Sequence, residues 1–261
     1  MNGFVWSEFW VLFALSLIGA VGIMPYAMKL APEGALERSK LPLPVMMALG
    51  VLQTAVLMAV AIGLGMLAAN AVGLHAPVIE ALVSGSDPLS VLVPFLLPAA
   101  VSGLVASALI LGLERLVFAP RVPEALAGKD QEIEPWKGLL ASFYGGINEE
   151  LLLRWFMVSV LAWLIGLVWN SPAVIWIAIF LAALLFGLGH LPATRNITPL
   201  TPWVVARGIV LNGVGGLIFG YLFWRYGIEA AIIAHFITDL FIHIGYPSWM
   251  RASGRRELKT V

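Results

Sequence analysis

The chain has 261 residues, of which 61% are hydrophobic and 11% charged, and its 15 Lys and Arg balance its 15 Asp and Glu. An ordinary soluble domain has about 25% charged residues, so this chain has too few polar side chains to cover a water-exposed surface. The even charge balance gives no overall attraction to nucleic acid. The absence of cysteine excludes disulfides, thiolate metal sites and a cysteine nucleophile.

The apolar runs are continuous and about 20 residues long, which predicts membrane-spanning helices and not the alternating strands of a barrel. Prolines and short polar stretches mark most of the boundaries between them. We predict an all-α polytopic membrane helix bundle with about seven transmembrane helices (six to eight), and residues 1–261 as a single integral membrane domain. Residues 77–84 suit a short interfacial helix. The predicted spans are 9–28, 43–68, 89–113, 138–168, 172–190, 203–224 and 228–246.

Lysine and arginine residues outside the spans fall almost entirely on one side of a seven-span chain. The opposite side has only Arg225. The positive-inside rule then places the N-terminus outside and the C-terminus in the cytoplasm, as in a bacterial inner (cell) membrane. The residues on the basic side are Lys29, Arg38, Lys40, Arg115, Arg121, Lys129, Lys137, Arg195, Arg251, Arg255, Arg256 and Lys259.

The fourth predicted span contains several charged residues close together. A charge at mid-depth in a bilayer costs at least about 2.5–3.5 kcal/mol, so each needs a partner, a proton or a water-filled cavity. Glu150 and Arg154 lie four residues apart, share a helix face and can neutralise each other. Glu149 is rotated by about 100° from Glu150 on an α-helix and has no evident partner on its own helix. Glu149 is therefore the better candidate for a general base.

Two further predicted spans carry histidines at helical spacing from another chemically useful residue. The fifth span ends at His190, four residues after Phe186, and the seventh has Asp239 four residues after His235. An aspartate at that spacing can hold a histidine in one tautomer. Each pair alone also suits a structural role. Because three spans each supply a polar group to a chain that otherwise avoids them, we predict that the groups act together.

These pairs resemble, in order, the three motifs of the CAAX protease and bacteriocin-processing family, which includes the type II CAAX prenyl endopeptidases. The motifs read Glu149-Glu150-x-x-x-Arg154, Phe186-x-x-x-His190 and His235-x-x-x-Asp239. The likeness covers roughly residues 140–245, and we predict a catalytic core at 138–246 with its cavity inside the bundle.

The resemblance implies an intramembrane endopeptidase. In such an enzyme Glu149 and His190 would activate a water molecule, and His235 and Asp239 would stabilise the oxyanion. The remaining motif residues would bind substrate or organise the site; they are Glu150, Arg154 and Phe186.

Asp239 departs from the family pattern, because CAAX-processing members usually carry asparagine at the end of the third motif. An ionised carboxylate cannot donate a hydrogen bond to an oxyanion. Asp239 would therefore act either as a protonated donor or as a carboxylate that orients His235.

The resemblance implies a membrane-associated peptide or protein substrate, lipidated or not, the lipid bilayer as surroundings, no nucleic acid and no required cofactor. A second hypothesis is a zinc protease in which Glu149 or Glu150, His190 and His235 are the ligands, although no His-Glu-x-x-His is present. A third hypothesis is a transporter, and a fourth is a non-catalytic scaffold or immunity protein. The chain shows no inverted repeat of the kind found in transporters.

Overall fold

The helical content agrees with the sequence prediction. A computed structural model describes residues 4–30, 41–127 and 134–253, is 86% helical and has no strand within those ranges. Its helices are α1 (Trp6–Met28), α2 (Leu43–Val72), α3 (Pro77–Ser84), α4 (Pro88–Phe118), α5 (Glu124–Ala127), α6 (residues 135–166), α7 (Ala173–Arg195), α8 (Pro202–Tyr226) and α9 (Ile228–Ala252).

Six of the described helices are long and apolar enough to cross a membrane: α1, α2, α4, α7, α8 and α9. The predicted polytopic all-α bundle is therefore confirmed, and the short helix predicted at 77–84 is present as α3. The fourth predicted span is helical as α6 but is not one of the six. It carries Glu149, Glu150 and Arg154 within two turns, and its hydrogen bonding is irregular.

The middle of α6 has the wide turns of a π-helix, in which each amide bonds to the carbonyl five residues back. These turns cover Tyr144–Glu149 and Leu151–Val158. Such turns are uncommon and often occur at functional sites. Two buried side chains fix them to neighbouring helices: Asn148 Nδ2 donates to the Ser16 carbonyl at 3.0 Å, and Trp155 Nε1 donates to the Ile62 carbonyl at 3.1 Å. The segment that carries the two glutamates is thus held between α1 and α2.

Close helix contacts occur at small residues on α8 and α4. On α8, a Cβ added at Gly216 would lie 2.5 Å from the Ala183 Cβ of α7. On α4, Gly103 allows α9 to approach so closely that Thr238 Oγ1 donates to the Gly103 carbonyl at 3.0 Å. The absence of side chains at such positions lets helix backbones touch. Small residues therefore allow α7 to pack closely against α8, and α9 against α4.

The orientation of the bundle stays a prediction. The predicted orientation rests on twelve basic residues, and the structure does not describe the side chains of seven of them: Lys29, Arg38, Lys40, Lys129, Arg255, Arg256 and Lys259. Fusions of a cytoplasm-active reporter between α4 and α6 and after Val261 should both be active. A fusion after Trp169, between α6 and α7, should be inactive, because that connection lies on the opposite side. Activity at Trp169, or inactivity at either of the other two positions, would contradict the seven-span arrangement.

Candidate active site

The three predicted motifs meet where α6, α7 and α9 converge, and the fully buried Glu150 carboxylate lies at the centre of the cluster. Glu150 Oε1 accepts a hydrogen bond from Arg154 Nη1 at 2.8 Å and another from His235 Nδ1 at 2.7 Å. The predicted pair of Glu150 and Arg154 is therefore present. The contact from Glu150 to His235, across 85 positions of sequence, was not anticipated.

Glu149 lies between two histidines from two other helices. Its Oε1 is 3.8 Å from His190 Nε2, and its Oε2 is 3.9 Å from His235 Nε2. Both separations are longer than a direct hydrogen bond, and polar groups at such distances are commonly bridged by water. The Glu149 side chain is 23% exposed, whereas Glu150 is inaccessible. Of the two adjacent glutamates, only Glu149 is open to an incoming molecule.

His190 is held in one tautomer by its own helix. Its Nδ1 lies 2.9 Å from the Phe186 carbonyl oxygen, and a carbonyl can only accept, so Nδ1 carries the proton. When the ring is neutral, Nε2 therefore carries the lone pair, and this atom faces Glu149. The Phe186 ring packs edge-on against His190, with 4.9 Å between ring centroids. Phe186 therefore contributes to the orientation of His190 through both its backbone and its ring.

His235 has a carboxylate at each ring nitrogen. Glu150 accepts from Nδ1, and Asp239 Oδ1 lies 3.6 Å from Nε2. The Phe219 ring stacks on His235 at 4.8 Å with 21° between the planes. Glu150 thus occupies Nδ1, the atom that a carboxylate would bind in order to orient the ring. Asp239 instead faces Nε2, the nitrogen that also points towards Glu149.

The Arg154 guanidinium is enclosed by aromatic rings. Its Cζ lies 4.9 Å from the centroid of Phe186 and 5.4 Å from that of Phe219, and Arg154 is 1% exposed. Cation–π contacts of this kind stabilise a desolvated cation. Phe219 was not predicted as a site residue, since nothing in its spacing distinguishes it from the apolar residues that surround it.

Gly145 packs directly against the side chains of the third motif. A Cβ at this position would collide with Asp239 Oδ2 and would lie 3.3 Å from His235 Nε2. The α6 backbone therefore lies directly against the two α9 side chains. The sequence does carry a signal for this contact: Gly145 and Gly146 are consecutive in a helix, where each glycine costs about 1 kcal/mol relative to alanine.

Two other polar side chains of the spans have their partners outside this cluster. Arg207 Nε donates to Glu114 Oε2 at 2.7 Å, which links α8 to α4. Asn212 donates to the Gly208 carbonyl of its own helix at 2.8 Å. Among the described residues, no group of three His, Asp or Glu side chains could hold a metal ion.

A comparison with known protein families gives a match to the part of the chain that contains this cluster. Residues 131–241 match the family model described as type II CAAX prenyl endopeptidase Rce1-like. No curated protein and no solved structure gave a match. The matched segment includes every motif residue from Glu149 to Asp239. The predicted resemblance is confirmed over residues 131–241, which are similar to the type II CAAX prenyl endopeptidase Rce1-like family.

Proposed function

We propose that this protein is an intramembrane endopeptidase that hydrolyses a peptide bond in a membrane-associated peptide or protein, near the cytoplasmic face. The family match supports a membrane protease as the general class. The observation that carries the finer proposal is the position of Glu149, whose two oxygens face the Nε2 atoms of His190 and His235 at 3.8 and 3.9 Å.

In this proposal Glu149 and His190 activate the attacking water. The water donates one O–H to Glu149 Oε1 and the other to the lone pair of His190 Nε2, which is free because Nδ1 is bonded to Phe186. Its oxygen lone pair then points at the substrate carbonyl carbon. Glu149 takes one proton as the C–O bond forms, and the same proton is later delivered to the leaving amine.

His235 stabilises the oxyanion of the tetrahedral intermediate. Because its Nδ1–H is donated to Glu150, Nε2 can donate as well only when the ring is an imidazolium. The Glu150 carboxylate beside it compensates that charge. Asp239, next to the same Nε2, serves as a second donor when its carboxyl is protonated. Donors arranged before the reaction are commonly the largest single contribution to catalysis of this type.

Glu150, Arg154 and Phe186 organise the site in this proposal and do not contact the scissile bond. Glu150 is fully buried and its Oε1 atom is already shared between Arg154 and His235. Arg154 neutralises Glu150, and the two phenylalanine rings exclude water from the pair.

The test is a comparison of membrane proteomes from cells that express the wild-type chain or the Glu149→Gln variant at equal levels. We expect new peptide termini in the wild-type membranes that are lost in the variant, because removing a general base lowers turnover by roughly 10²–10⁴-fold. Termini that appear equally with the variant would contradict the proposal.

A metal-removal experiment distinguishes the proposed metal-independent mechanism from the zinc-protease hypothesis. On an identified substrate, dialysis of the purified enzyme against a zinc chelator should leave the cleavage rate unchanged. Loss of cleavage that is restored by added Zn²⁺ would favour a metalloprotease that uses the same residues.

A further inference from the structure

The start of α9 contacts the start of α3, although the two helices are far apart in sequence. The Ile228 amide donates to the His75 carbonyl at 3.1 Å. Gly227, at φ +100°, adopts a backbone conformation that favours glycine, and a Cβ there would collide with Pro77. Both contacts hold the start of α9 close to residues 75–77.

A buried carboxylate completes this joint. Glu229 Oε1 accepts from the amides of Val78 and Ile79, both at 3.0 Å, and Glu229 is only 9% exposed. These amides belong to the first turn of α3, where the N–H groups have no partner within the helix. Gly227 and the first two residues of α9 are thus bonded or packed to residues 75–79.

Glu229 has no part in the proposed chemistry, yet it stands on the helix that carries His235 and Asp239. A helix rises 1.5 Å per residue and transmits a displacement along its axis. Further along α9, Thr238 Oγ1 is bonded to the Gly103 carbonyl. Glu229, together with Gly227 and Ile228, therefore holds α9 before His235, and Thr238 holds it after His235.

We propose that Glu229 is a positioning residue that sets the axial position of α9, and thereby places His235 and Asp239 against Glu149. The catalytic consequence rests on the proposed function, whereas the position of α9 does not. A misplacement of about 1 Å can lower turnover by roughly 10²-fold, so the anchoring of α9 matters to a site in which atoms of three helices must meet.

The test compares Glu229→Ala with Glu229→Gln, which keeps an acceptor oxygen at the same reach. On a cleaved substrate, we expect Glu229→Ala to lower kcat by about 10–10²-fold with little change in KM, and Glu229→Gln to restore most of the rate. The matched control is Glu80→Ala. Glu80 accepts from the Ala76 amide at 3.0 Å and so also binds the start of α3, without linking it to α9.

A second measurement needs no substrate. The chain has no cysteine, so a single disulfide can be engineered between Gly138→Cys on α6 and His243→Cys on α9. A Cβ at Gly138 would lie 3.2 Å from the His243 Cβ, which is slightly closer than the Cβ separation of about 3.5–4.5 Å across a disulfide. We expect rapid cross-linking with native Glu229 or Glu229→Gln, and cross-linking slowed several-fold by Glu229→Ala but not by Glu80→Ala.

These two measurements distinguish the failure of this inference from the failure of the proposed function. Unchanged cross-linking in a folded Glu229→Ala protein overturns the inference, whether or not cleavage is detected. If Glu229→Ala does not accumulate, Glu229→Asp replaces it, because the shorter side chain keeps the charge but cannot reach both amides. If the Glu229→Asp variant cross-links more slowly than the Glu229→Gln variant, the inference that the side chain must reach both amides is supported. Equal rates overturn it.

Discussion

Replacement of Glu150 by alanine is expected to abolish turnover and also to lower the yield of folded protein. The substitution leaves Arg154, which is 1% exposed, without its carboxylate. It also removes the acceptor that holds His235 Nδ1. Removing one partner of a buried ion pair costs about 3–5 kcal/mol, which is a large part of the stability of most proteins.

The matched variant is Glu149→Gln, at the adjacent position. Among the described residues, the histidine nitrogens nearest to Glu149 are 3.8 and 3.9 Å away, which is longer than a direct hydrogen bond. The Glu149→Gln substitution should therefore yield stable but inactive protein. Expression, thermal unfolding in detergent and cleavage rate are measured for both variants. If Glu149→Gln lowers stability as much as Glu150→Ala does, or if Glu150→Ala retains turnover, the division of roles between the two glutamates is wrong.

Substitution of Gly145 by alanine is expected to lower turnover by roughly 10²-fold or more while the protein remains folded. The added methyl group would occupy the position of Asp239 Oδ2 and crowd His235 Nε2. The two α9 side chains must then move away from Glu149, and a shift of about 1 Å is enough for a loss of this size. Alanine favours a helix by about 1 kcal/mol over glycine, which offsets part of the cost of the collision.

Gly166→Ala is the control, because it lies in the same helix and a Cβ there would meet no atom within 4 Å. It should keep wild-type turnover. Combining Gly145→Ala with Asp239→Ala removes the atom with which the methyl collides. If the rate of the double variant is no lower than that of Asp239→Ala alone, the effect of Gly145 acts through Asp239. Wild-type turnover in Gly145→Ala itself would show that this close contact is unimportant.

The helices could be predicted from the sequence because each requires only local information. Long apolar runs define the six spans, and prolines such as Pro88 and Pro202 lie at the starts of helices in the structure. The wide turns of α6 could not be predicted in this way. They depend on tertiary contacts such as those of Asn148 with α1 and Trp155 with α2, and the 3.6-residue period carries no information on them.

The candidate site was predictable to the extent that its contacts lie on one helix. The bond from Glu150 to Arg154 follows from their spacing. The bond from Glu150 to His235 and the stacking of Phe219 on His235 cross between helices, and no spacing along the chain specifies them. Glu229 was missed because it stands in the first turn of its span, where a charged residue is usually solvated.

The placement of Glu150 and Arg154 on a single helix has a consequence for the biogenesis of the protein. Transmembrane helices first insert individually and then associate. Because this ion pair spans only four residues, it can form while α6 enters the bilayer, before any other helix is present. In the predicted seven-span arrangement, α6 then crosses the lipid without two bare charges, each of which costs at least about 2.5–3.5 kcal/mol. His235, which arrives later in synthesis on α9, meets a carboxylate already held in place.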